Sequence, residues 1–153
     1  MLLADLLSPD RVKIPLESTD KAGLIEELSS MLARVSGLEE DRDAILRSVL
    51  EREAKLSTGI GAGVALPHGK CSALDELVLV GGRTSRPVDF EALDEAPVSL
   101  VLMLVGPESA AGLHVKVLGQ ISRLLREPAV RNRLVGADTP QEFLSAIREA
   151  ESR

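Results

Sequence analysis

An α/β layer fold in a single domain, with helices covering a central sheet, is what the sequence predicts, and three observations carry it. Val98 to Val105 is a nearly unbroken Val- and Leu-rich run, the pattern of a strand buried on both faces. Other segments repeat apolar residues at helical spacing, as in Leu24, Ile25, Leu28, Met31, Leu32 and Val35. Connections between these elements are short, and 153 residues are enough to bury a core without covalent staples.

Taken in order, residues 1–8 read as a short amphipathic helix ending before Pro9. Val12 to Leu16 alternates like a strand, and Pro15 marks it as an edge. Ser18-Thr19-Asp20 offers helix-start chemistry to the segment that Gly37 closes. A second helix begins near Glu40, with Ile45, Leu46, Val49 and Leu50 expected to face inward. Short strands are expected at Gly63–Leu66, at Leu77–Val80 before Gly81-Gly82, and at Val88–Phe90. Asp94 to Pro97 turns into the long apolar strand, which Gly106-Pro107 ends. A helix over 113–126 carries the stripe Val117, Leu118, Ile121, Leu124 and Leu125, and Pro128 opens a shorter one through about Val135. Thr139 as N-cap, Pro140 behind it and Glu142 completing a capping box start the last helix, whose inward face is Phe143, Leu144 and Ile147. No internal repeat, low-complexity tract or linker interrupts the chain.

Composition excludes several classes of function. Two Phe with no Tyr or Trp leave no aromatic platforms for stacking bases. A formal charge of −6 argues against nucleic acid and fits a protein partner with a positive contact face. The lone Cys71 rules out an internal disulfide, and two histidines with one cysteine provide no zinc ligand set. The N-terminus has no basic region ahead of its leucines, and Val98–Val105 is far shorter than the ~20 residues of a spanning helix. A cytoplasmic protein without membrane insertion is expected.

The chemistry concentrates in Glu51 to Lys70, EREAKLSTGIGAGVALPHGK. His68 lies between Pro67, which fixes its own φ and pushes Leu66 toward β, and Gly69, which is free in φ. That setting presents an imidazole at the tip of a strand. A neutral imidazole is nucleophilic, and an ordinary pKa near 6.5 keeps it mostly neutral in a cell. Attack on phosphorus gives a phosphohistidine, and such transfer needs cationic and N–H donors for the equatorial oxygens. Arg52, Lys70, the Ser57 and Thr58 hydroxyls and the Gly69 and Lys70 amides are the local supply. His114 heads the apolar stripe of its helix, which fits a core histidine and also a group at a helix start facing His68. Gly59-x-Gly61-x-Gly63 precedes its strand, so a dinucleotide fingerprint fails on context, and Val64 and Cys71 break a P-loop. A Ser57/His68/Asp hydrolase triad lacks the G-x-S-x-G elbow.

In combination, ERE-A-x-x-STGIG-x-G-x-A-x-PH-G-K, the segment Val88 to Val98, the strand to Gly106-Pro107 and Leu113-His114-x-x-x-Leu118 resemble one family. It is the EIIA domain of the fructose/mannitol class of the bacterial phosphoenolpyruvate:sugar phosphotransferase system, including its nitrogen-regulatory relatives. The similarity covers roughly residues 3–150 of a single 1–153 domain and implies a mixed central sheet flanked by helices. It implies a phosphocarrier in which His68 accepts a phosphoryl group at Nε2 from HPr or a nitrogen-branch counterpart. The group then passes to a cysteine of an EIIB domain, or is held as a regulatory signal toward a target protein. The family's second histidine falls on His114 and its active-site arginine on Arg52, and no metal or organic cofactor is expected. The chain has the length of one such domain, with no EIIB or EIIC segment, so the stand-alone nitrogen-regulatory branch is expected ahead of a sugar-transport component.

Overall fold

The apolar run forms β6 (Val98–Gly106), around which β1 (Val12–Leu16), β2 (Gly59–Gly61), β3 (Val64–Ala65), β4 (His68–Lys70) and β5 (Val78–Val88) assemble in a computed structural model describing residues 1–153. The strand order is β1-β5-β6-β3-β2, with β4 pairing β6 on the same side as β3. β1 runs parallel to β5, and β3 and β4 run parallel to β6, whereas β5–β6 and β2–β3 are antiparallel. The sheet is therefore mixed, and β1 is an edge strand.

Five helices cover it: α1 (Lys21–Val35), α2 (Arg42–Glu53), α3 (Ala111–Leu124), α4 (Pro128–Val135) and α5 (Pro140–Glu151). Alternation along β6 divides the core in two. Val101, Met103 and Val105 pack with Leu24, Leu28, Ile45 and Val49 of α1 and α2. Leu100, Leu102 and Leu104 pack with Val117, Ile121, Phe143 and Ile147 of α3 and α5. Because both faces are covered, an uninterrupted apolar sequence is what β6 requires. No helix is long and apolar enough to cross a membrane.

Several local expectations need correction. Residues 1–8 form no helix of their own; two 3-10 turns, Leu3–Asp5 and Pro9–Arg11, stand there instead. The first is held by Glu151 at the end of α5, whose carboxylate accepts from the amides of Leu3 (2.6 Å) and Ala4 (2.9 Å). Leu50 points outward from α2, and Glu53 takes the inward place near its end. The two strands expected at Leu77–Val80 and Val88–Phe90 are one strand, β5, running through Gly81-Gly82 with a register shift between Arg83 and Val88. Those glycines admit neighbouring backbone: a Cβ on Gly81 would stand 2.6 Å from the Val101 carbonyl, and one on Gly82 would strike that of Lys13. The glycine run is also strand: β2 and β3 make a hairpin whose turn residues, Ala62 (φ 57°) and Gly63 (φ 80°), are both left-handed. Asp94 supports the strained Ala62 by accepting from its amide at 3.0 Å. Thr139 caps α5 as expected, but Glu142 reaches the amide of Asp138 (2.9 Å), one residue beyond a true capping box.

Candidate functional site

β3 and β4 are one strand interrupted at Leu66-Pro67, and the interruption shapes the site. Leu104 donates to the Pro67 carbonyl (3.1 Å) and Cys71 donates to the Gly106 carbonyl (2.9 Å). Strand alternation then turns the Gly69 amide toward β6 and the His68 and Lys70 amides toward the open edge. Side chains alternate the other way. Gly69 faces α2 so closely that a Cβ would lie 2.8 Å from the Ser48 carbonyl carbon and 2.9 Å from the Val49 nitrogen. Its glycine character thus seats α2 against β4. His68 faces the opposite layer, where α3 begins.

There the two imidazoles meet edge to face, with ring centroids 5.5 Å apart and planes at 63°. His68 is half-buried. Its Nδ1–H donates to the Leu66 carbonyl at 2.8 Å. A carbonyl can only accept, so this bond fixes the tautomer and leaves the lone pair on Nε2. Burial is the main influence lowering the His68 pKa; the Leu66 bond opposes it, Arg52 and Lys70 add to it, and Glu53 opposes it. His114 is 2% exposed, and neither ring nitrogen has a partner within the chain. Burial, then the charges of His68 and Lys70, push its pKa down to about 4. Both rings are therefore neutral at neutral pH.

A cleft of about 380 Å³ opens on these rings, walled by α2 (Ser48, Glu51, Arg52, Lys55), by β4 (His68, Gly69, Lys70) and by α3 (His114, Val115, Leu118). Arg52, Lys55 and Lys70 bring three cationic heads against the one carboxylate of Glu51, so an acidic chain has a locally basic cleft suited to an anion. One Arg52 nitrogen donates to the Leu56 carbonyl (2.7 Å), anchoring the guanidinium at the end of α2. Lys70 pairs loosely with exposed Glu108 at 3.7 Å.

The structure brings His68, Gly69, Lys70, His114 and Arg52 together in this cleft. It does not bring the two hydroxyls there. Ser57 donates to the Phe90 carbonyl (3.0 Å), and Thr58 is buried with its hydroxyl on Glu53 (2.6 Å). Sequence reasoning missed the Leu66 carbonyl, Lys55 and Glu53. For Lys55, its helical spacing of three from Arg52 was a usable signal.

A family model described as phosphoenolpyruvate-dependent sugar phosphotransferase system, EIIA 2, matches residues 5–150. A nitrogen regulatory protein of Bradyrhizobium diazoefficiens is 35% identical over 147 residues, covering 96% of this chain and 95% of that protein. A fructose-specific EIIA component of the PTS system in Haloferax volcanii is 35% identical over 129 residues, covering 84% and 83%. The crystal structure of nitrogen regulatory protein IIA-Ntr from Neisseria meningitidis superposes with a TM-score of 0.88 at 30% identity, covering 95% of this chain and 98% of that one.

Proposed function

Since the chain belongs to the EIIA type 2 family of the phosphoenolpyruvate-dependent sugar phosphotransferase system, we propose that it is a phosphocarrier of the nitrogen-regulatory kind and that His68 holds the phosphoryl group. The observation that carries the assignment to His68 is its tautomer. With Nδ1–H held by Leu66, Nε2 is the nucleophile at the cleft. Its lone pair attacks phosphorus on the phosphohistidine of an HPr-like donor. The donor's P–N bond breaks, and its electron pair returns to the donor ring. Arg52, the Lys70 amide and neutral His114 supply hydrogen bonds to the equatorial oxygens, a role in which fixed positive charge and N–H groups act without reorganising. Ser57 and Thr58 act from behind, holding the loop after α2 in place.

Incubation with phosphoenolpyruvate, enzyme I and an HPr-type carrier should add about 80 Da in an acid-labile, alkali-stable linkage. No adduct, or an undiminished one in His68→Ala, overturns the assignment. The fructose-specific relative supports a second reading, an EIIA component that hands the group to an EIIB cysteine. Offering the loaded protein a purified EIIB domain separates the two. Rapid transfer to cysteine favours transport, while retention with altered binding to a target protein favours regulation.

A further inference from the structure

We infer that Glu53 is a positioning residue for phosphoryl transfer at His68, setting the guanidinium of Arg52 and the loop behind it through a buried carboxylate; this rests on the phosphocarrier reading above. Glu53 is 8% exposed, and each of its oxygens is engaged. One accepts from the Thr58 hydroxyl at 2.6 Å. The other accepts from the Thr58 amide at 2.8 Å and pairs with Lys21 Nζ at 2.9 Å. A buried acid carrying three donors is a fixed anchor, because removing it leaves a partly buried ammonium and a buried amide without their partner.

What the anchor holds is the end of α2. Arg52 donates forward to the Leu56 carbonyl while Glu53 receives from Thr58, so two crossing bonds close residues 52–58 into a ring. Arg52 Nε and its second terminal nitrogen make no bond within the chain and remain for the cleft. Lys21 ties this ring to the first turn of α1, and its ammonium lies 5.0 Å from the Phe90 ring centre. The Phe90 carbonyl in turn accepts from Ser57. Thr58 and Lys21 thus meet on one carboxylate, and through Ser57 and Lys21 the segment at Phe90 is tied to them. Its charge also bears on His68 with the sign opposite to Arg52 and Lys70, sustaining the basicity of the nucleophile.

The test compares wild type with Glu53→Gln, which keeps shape and removes charge, and with Thr58→Val, which removes one donor and keeps volume. Single-turnover transfer from the phosphorylated HPr-type carrier should slow roughly tenfold or more in Glu53→Gln, with its concentration dependence unchanged, as expected of misplaced rather than missing contacts. In parallel, the His68 imidazole, followed by NMR without any phosphate, should titrate at lower pH than in wild type. Thr58→Val should slow transfer in the same direction by less. Wild-type transfer in a folded Glu53→Gln, or an unmoved His68 titration, overturns the inference. If Glu53→Gln does not fold, unaltered transfer in Thr58→Val overturns it alone. A wild type that takes no phosphoryl group while the titration still moves counts against the phosphocarrier reading and leaves the anchor standing.

Discussion

His114 and His68 are two imidazoles a short distance apart, each kept neutral by burial, yet only one has a protein partner. A buried ring with both nitrogens unpaired is costly unless a ligand supplies the partner. That expense gives His114 a signature in stability. Its folded pKa of about 4 lies below the ordinary 6.5, so the unfolded chain takes up the proton more readily. The stability contributed by neutral His114 is present above pH 6.5 and is lost as pH falls toward 4. Glu27 behaves likewise but lower. Burial would raise its pKa, yet donors from Glu17, Lys13 and Ser18 outweigh burial and hold it at about 2, so its contribution fades below 4.5. Urea unfolding between pH 7 and about pH 5 should therefore lose stability mainly through the histidines, and His114→Gln should flatten that slope while slowing transfer. Unchanged transfer would reduce His114 to a passive core group, and an unchanged slope would mean that its titration does not set the pH dependence. Both rings and Arg52 were legible because their chemistry sits in local motifs. Glu53 was not, because its burial depends on Lys21, 32 positions earlier, and no window around residue 53 contains that ammonium.

Among the elements, glycine separates what spacing can reveal from what it cannot. Helices α1, α3, α4 and α5 were readable because their apolar stripes and caps are local properties of the chain. β5 was read as two pieces because Gly81-Gly82 looks like a break, whereas its real cause is close approach by β1 and β6 on either side. β2 was hidden for the same reason, as three glycines in five residues carry no side-chain alternation to read. The distinction predicts opposite outcomes for one substitution. Gly69→Ala drives a methyl into the backbone of α2 and should cost about 1–3 kcal/mol while displacing the helix that carries Arg52. Gly112→Ala, in the first turn of α3 with nothing within 4 Å of its Cβ position, should stabilise by roughly 0.5–1 kcal/mol. Chemical denaturation of the two variants checks both signs, and transfer should suffer only in the first.

At the scale of the whole molecule, the sheet is a partition between two cores of similar size, 21 and 20 buried residues, and β6 contributes alternately to each. The central sheet and its covering helices were foreseeable from β6, since only a strand with a layer on both sides tolerates so continuous an apolar sequence, whereas the sheet's mixed strand directions were implied by the family resemblance alone. The position of β4, beside β3 on the same side of β6, was not foreseeable, because it depends on a break at Pro67 that reads locally as a terminus. That break leaves a slot where the partition ends, with one bank supplied by the α1–α2 layer and the other by the α3–α5 layer. Anything seated in the slot rivets the layers to each other. A phosphoryl group gripped by Arg52 from one bank and His114 from the other should make the charged carrier melt above the empty one, by about 2–4 °C for each kcal/mol gained. Heat tolerance would then serve as a gauge of cargo, and identical melting of the two forms would mean that the rivet never bridges the gap.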